Sequence, residues 1–259
     1  MDGALGRVAR FEREFARAQA TEVVDLPWGY ALLQHDFPVS WAHNRLVVTA
    51  PVDAETAIAT ADLVLGGAGC RHRLVTYLDA AEGERAAPAF AAAGYGTHER
   101  LVTMVHGGGP VHGDRARVEA LTFAELRPSL LADWRADFPD DPEADIEQLA
   151  DRSLLAGRGA EVAFLGVRTP AGRVVARGEL YRRDGVAQFE NLITHPAHRG
   201  RGHARALLAE ALARSAGDDV RFLVAEATGW PRGWYRTLGY LDRVEAHAFQ
   251  RTPAACPSR

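Results

Sequence analysis

Asn191-Leu-Ile-Thr-His-Pro-Ala-His-Arg-Gly-Arg-Gly-His-Ala-Arg-Ala-Leu-Leu208 reads as a strand end, a turn and a helix start. Phe189–Thr194 predicts a strand, Pro196 stops it, and a helix begins near His203. Gly200 and Gly202 leave the backbone unobstructed where the first helical N–H groups have no intrahelical partner. Arg199 and Arg201 bring positive charge, and the helix dipole adds more of the same sign. Together these features predict a seat for a phosphate or pyrophosphate. The order is not that of the dinucleotide fingerprint, which needs three glycines as Gly-x-Gly-x-x-Gly, nor of a P-loop, which ends in Lys-Ser/Thr.

Composition sets the frame around this segment. The 259 residues are 47% apolar and 25% charged, values of a soluble globular protein large enough for one large or two small domains. No apolar run approaches the roughly 20 residues of a membrane span, and Met1-Asp-Gly-Ala-Leu-Gly-Arg7 has no hydrophobic signal core. Neither a membrane nor a nucleic acid is expected as partner, the latter because the net charge is −4. Cys70 and Cys256 do not make a disulfide framework, and a reducing cytoplasm is the expected compartment. All 30 basic residues counted as Lys or Arg are arginine. The absence of lysine removes Schiff-base chemistry and the phosphate-binding lysine of P-loops.

Along the chain, Val8, Phe11, Phe15 and Ala18 predict a helix from about Gly6 to Ala20. Strands are expected at Gly29–Gln34, Arg45–Thr49, His72–Leu78 and Glu99–Val105, with helices at Ala54–Leu65 and Glu84–Ala93. His106-Gly-Gly-Gly-Pro-Val-His-Gly-Asp114 contains three successive glycines with no helix directly after them, and reads as a linker. The second half predicts a strand at Arg117–Ala120, helices at Phe123–Asp137 and Asp140–Ala156, and strands at Val162–Arg168, Val174–Arg182 and Val186–Thr194. There follow a helix His203–Ser215, a strand Phe222–Glu226, a short helix Pro231–Leu238 and a closing strand Leu241–Gln250.

Arg199-x-x-Gly202-x-Ala204, after a strand and a proline and before an apolar helix, resembles the acetyl-coenzyme A signature of the GCN5-related N-acetyltransferases (GNAT). The element order from Arg117 to Arg251 matches that family, and Trp234-Tyr-Arg-Thr-Leu-Gly-Tyr240 resembles its Phe-Tyr-x-x-Leu-Gly-Phe. The resemblance implies an α+β (mixed α/β) GNAT fold, with a mixed, mostly antiparallel sheet flanked by helices. The N-terminal half echoes the C-terminal half in Arg73-Leu-Val-Thr, Ala93-Gly-Tyr and Leu101-Val-Thr-Met-Val. A tandem GNAT is therefore expected: a smaller degenerate GNAT-like domain over 1–106, a linker over 107–114, the catalytic domain over 115–252 and a flexible tail over 253–259. Where the first copy should hold its signature it reads Asn44-Arg-Leu-Val-Val-Thr-Ala-Pro-Val-Asp-Ala-Glu55, with acids and no glycine turn. That half is expected not to bind coenzyme A.

The resemblance also implies site residues and a reaction, transfer of the acetyl group of acetyl-CoA to a primary amine by direct attack in a ternary complex. No metal is implied, since His195 and His198 lack a third ligand. The backbone of Leu192, Ile193 and Thr194 would bond the pantetheine arm. Gly200, Arg201, Gly202, His203, Ala204 and Arg205 would hold the pyrophosphate, with Arg199 beside them; whether the two arginines touch phosphate or only line the surface is open. Tyr235 occupies the position of the family's thiolate-protonating tyrosine, whereas Tyr240 reads better as a packed aromatic. For the proton acceptor Glu190 ranks first, Glu226 second and His195 third. The acidic run Asp137–Glu147 would attract a cationic small-molecule amine, and equally suits solvated helix ends. Protein N-terminal or lysine acetylation and a non-catalytic acyl-CoA sensor are the alternatives, and homodimerisation is left open.

Overall fold

A computed structural model describes residues 3–252 of the chain; Cys256 and the tail expected over 253–259 lie outside the described residues. The architecture is mixed α/β. Two compact units emerge, and each draws on chain from both sides of the Gly107–Gly109 run. The first comprises the chain up to Phe15, Thr103–Val224 and Gly233–Arg243. The second comprises Ala16–Val102, Ala225–Arg232 and the chain from Val244 on. Among the described residues no helix is long and apolar enough to cross a membrane.

The first unit holds most of α1 (Ala4–Gln19), β6 (Glu119–Leu121), α4 (Phe123–Asp137), α5 (Glu143–Asp151), β7 (Glu161–Arg168), β8 (Val174–Arg183), β9 (Val186–Thr194) and α6 (His203–Arg214). β10 (Val220–Glu226), the end of β5 (Thr97–His106), the end of α7 (Trp230–Thr237) and the start of β11 (Tyr240–Arg251) complete it. Its strand order is β11-β5-β10-β9-β8-β7-β6. Neighbours from β6 to β9 are antiparallel, while β9 and β10 are parallel. The periodicity seen in α1 does its work here. Val8, Phe11 and Phe15 bury against Tyr181, Val186, Val220 and Phe222, and Phe11 lies 5.6 Å edge-on to Phe222.

Local chemistry sets the element ends. Thr122-Phe-Ala-Glu125 forms a capping box at the start of α4, the two side chains and backbones answering each other. The helix expected over Asp140–Ala156 is shorter: Pro142 stands at its N-cap, and a 3-10 segment takes over at Arg152. Asp184 and Gly185 between β8 and β9 have φ of 51° and 71°. Two successive positive φ values make the two-residue hairpin turn that Asp-Gly favours.

The second unit orders its strands β1 (Glu22–Leu26), β2 (Gly29–Leu33), β3 (Arg45–Val48), β4 (Arg73–Tyr77), β11 and β5. β1 has no counterpart among the expected strands, because its five residues follow α1 with only a short break. α2 (Ala54–Gly67) and α3 (Ala80–Ala92) pack on this sheet through Ala57, Ala61, Leu65, Ala86 and Phe90. Phe249 of β11 stacks on Phe90 at 4.3 Å, so the late strand supplies part of this unit's core.

Candidate active site

The site is built where two parallel strands part. β9 and β10 pair over Val186–Gln188 and Val220–Phe222 and part beyond them. One step further, the backbone N–H of Val224 donates not to the β9 backbone but to the Glu190 side chain, 3.2 Å from Oε1. Gln188 Nε2 donates to the same oxygen at 2.8 Å. The carboxyl group of Glu190 thus sits at the fork. Loss of water around it pushes its pKa up to about 7, aided by the nearby Glu12 and Glu179 carboxylates and opposed by its two hydrogen bonds.

A bulge places the backbone beyond the fork. Arg177 pairs with Ile193 but Glu179 pairs with Glu190, so β9 carries one residue more than β8 between these points. Asn191 absorbs the excess at φ 55°, a left-handed conformation rare for a residue with a side chain. Opposite it stands Gly178, where an added Cβ would lie 2.4 Å from the ring of Phe189. Leu192 and Thr194 are half-buried beyond the bulge, and Ile193 is 39% exposed.

The turn that follows has the open backbone the sequence predicts. Gly200 and Gly202 adopt φ of 75° and 78°, and an added Cβ at either would meet open space; glycine is there for conformation, not for close packing. Gly202 is the N-cap of α6 and supplies no side-chain cap, so the first N–H groups of that helix have no acceptor from the cap residue. Arg199 Nε donates to the Thr194 carbonyl at 3.1 Å, and Arg201 to the Ala197 carbonyl at 3.4 Å. Both arginines therefore brace the loop through its own carbonyls while remaining exposed. Ala204 is half-buried and Arg205 exposed. Thr194 Oγ1 and His203 Nδ1 are buried without a hydrogen-bond partner. Burial and the charges of Arg117, His198 and Arg201 hold the His203 pKa below the ordinary range. Two orphaned polar atoms, an uncapped helix start and an open glycine turn fit the phosphates and amide-rich arm of acetyl-CoA.

Tyr235 on α7 is half-buried, its ring 5.0 Å from Trp234 and 5.8 Å from Tyr240. Its hydroxyl is pushed well above the usual phenol range, by burial first and by the charge of Glu190 second. Tyr240 is fully buried, a packed aromatic. Glu190 and Tyr235 thus feel one another within the first unit. Glu226 falls in the second unit, exposed, and accepts from Thr228 Oγ1 at 3.2 Å. His195 is exposed, and its backbone N–H donates to the Val175 carbonyl. In the acidic run, Glu143 is paired with Arg135 across α4 and α5. Among the described residues no three His, Cys, Asp or Glu side chains group as metal ligands.

Sequence reasoning missed Glu179, which is 1% exposed. Tyr181 donates its hydroxyl proton to Glu179 Oε2, Ser153 donates to Oε1 at 3.5 Å, and Asn191 Nδ2 reaches the Tyr181 oxygen at 3.4 Å. The signal was present in the Asp184-Gly185 turn. Counting back from a two-residue hairpin pairs Arg183 with Val186 and, four pairs on, Glu179 with Glu190.

In the second unit the parallel pair stays together. β3 and β4 pair in parallel from Leu46–Val48 to Val75–Tyr77, and the Leu78 N–H continues to the Val48 carbonyl at 3.1 Å. At the start of α2 the Asp53 carboxylate accepts from the Thr56 N–H at 2.7 Å. The chain's own anion occupies that helix start.

Residues 123–240 match the acetyltransferase (GNAT) family. Over 141 residues the chain is 34% identical to a mycothiol acetyltransferase of Stackebrandtia nassauensis, a match covering 52% of this chain and 42% of that relative's length. Among solved structures, a GCN5-related N-acetyltransferase from Kribbella flavida superposes with a TM-score of 0.60 at 20% identity, covering 98% of each chain. A tandem GNAT protein from the clavulanic acid biosynthesis pathway gives a TM-score of 0.55 at 14% identity, covering 88% of this chain and 80% of that one. At these identities the structural likenesses speak for the fold.

Proposed function

The chain belongs to the GNAT superfamily through residues 123–240, and from that premise we propose that it is an acetyl-CoA-dependent N-acetyltransferase acting on a primary amine of a small molecule in a cytoplasmic setting. The observation that carries this reading is the carboxyl group of Glu190 at the fork of β9 and β10. Acetyl-CoA supplies an acetyl group activated as a thioester. Leu192, Ile193 and Thr194 would align its arm along the bulged strand, and the N–H groups from Gly200 to Arg205 would hold its pyrophosphate. Holding both reactants at the fork removes much of the entropic barrier to their meeting.

Glu190 would take the proton of the acceptor's ammonium, freeing the lone pair for attack. A base titrating near 7 suits that transfer at neutral pH. Tyr235, kept protonated by burial, would give its proton to the departing thiolate. We place this chemistry in the segment 115–252, with 1–106 as a degenerate partner copy, 107–114 as the joint and a single acetyl-CoA site per chain. Release of free thiol from acetyl-CoA with a panel of small amines tests the proposal. Thiol release that depends on one amine class supports it. Cofactor binding without thiol release from any small amine, peptide N-terminus or lysine peptide replaces it with the acyl-CoA sensor.

A further inference from the structure

Glu179 and Glu190 are direct cross-strand partners on β8 and β9. Residues opposite one another in an antiparallel pair project from the same face, with Cβ atoms about 4.5–5.5 Å apart. Two carboxyl groups are thus set side by side on one face, one fully buried and one half-buried. Like charges in that relation repel, and burial adds to the cost of ionising both. Glu12 on α1 adds a third acid, Tyr181 on β8 and Tyr235 on α7 are neutral phenols, and Gln188 and the Val224 N–H are neutral donors. Two cations act on Glu179: Arg177, which is also engaged by Asp133 at 2.8 Å, and Arg152, which also lies over the Trp134 indole at 4.8 Å. Ser153 and Tyr181 direct their hydroxyls at Glu179, which holds its carboxyl in place beneath the fork.

We propose that Glu179 is a positioning residue that forms with Glu190 a carboxyl pair titrating as one unit, so that the first proton entering the pair is bound far more tightly than by a lone glutamate. This rests on the reading of Glu190 as the base. When the acceptor docks, the N–H bond of its ammonium breaks, the proton enters the pair, and the nitrogen lone pair is left to attack the thioester carbonyl. Glu179 touches neither reactant; it sets how strongly Glu190 holds that proton. The directions of both carboxyl titrations agree, each raised above the usual range by burial.

The test reads the carboxyl groups themselves. Glutamate side-chain carboxyl carbons are labelled with carbon-13 and titrated by NMR in the wild-type chain and in Glu179→Gln and Glu190→Gln. Gln is isosteric and keeps an acceptor oxygen for one of the two hydroxyls, while its NH2 group can donate to the other hydroxyl oxygen. In Glu179→Gln the midpoint of Glu190 should fall by about one pH unit or more, the coupling that defines a pair. In Glu190→Gln the midpoint of Glu179 should fall likewise, and this second variant serves if the first does not fold. A midpoint that stays put in either folded variant overturns the pair. No acceptor, cofactor or turnover enters the measurement, so a coupled pair in a chain without transferase activity would sink the functional reading and leave the pair standing.

Discussion

The backbone N–H of Val224 donates to the carboxyl group of Glu190 across 3.2 Å, at the first place where β10 has left β9. A side chain thereby replaces a ladder bond, and the strands stay apart without an unpaired buried donor. Glu190→Gln keeps that hydrogen bond and removes the base. Turnover should fall about 10²–10⁴-fold, with acetyl-CoA affinity little changed. In the wild type the rate should rise with pH through about 7, as the raised carboxyl ionises and becomes able to accept a proton. Turnover against pH in the two proteins checks this; an unchanged acid limb in Glu190→Gln assigns the titration elsewhere.

Tyr235→Phe keeps the ring contacts with Trp234 and Tyr240 and removes only the hydroxyl. Turnover should drop by about 10²-fold, while the Kd for acetyl-CoA, measured by calorimetry, stays within about twofold. Lost binding instead would make Tyr235 a packing residue.

Gly202 lies at φ 78° with open space where a Cβ would go. Asn and Asp both tolerate this conformation better than other side chains and are nearly equal in size. Gly202→Asn should therefore retain acetyl-CoA binding. Gly202→Asp should weaken it at least about 100-fold, since unit charges about 4 Å apart near a surface repel by roughly 4 kcal/mol. Equal affinities in the two variants would remove the pyrophosphate from this turn.

The Asp53 carboxylate fills the α2 start, and β3 stays paired with β4. Titration calorimetry should accordingly give one acetyl-CoA per chain. A second equivalent, surviving in Gly202→Asp, would put a working site in the other unit.

Much of the site was written in local sequence, for a physical reason. A glycine turn, a stop at Pro196 and an apolar helix are local signals, and each acts within a few residues. Tyr235 stands in a short segment with its neighbours and was equally accessible. Glu179 was not, because its importance depends on register, which only the Asp184-Gly185 turn encodes. Glu226 ranked second to Glu190 in the sequence; in the structure it is exposed at a strand end, while Glu190 gathers two donors. The spacing of Val8, Phe11 and Phe15 announced a helix but could not say which core it would enter. That choice rests on Phe222 and Tyr181, roughly 170–210 residues away in sequence.

Phe249 stacked on Phe90 has a consequence for the order in which the molecule can be made. A ribosome delivers β1 to β4, α2 and α3 early, yet the strand that lies beside β4 comes off it only with Val244–Arg251. Until then β4 is an unprotected edge and the aromatic cluster around Phe90 is missing a wall. The half of the chain synthesised first is therefore finished last, and β4 stays an open edge from the time Tyr77 is made until Val244–Arg251 follows.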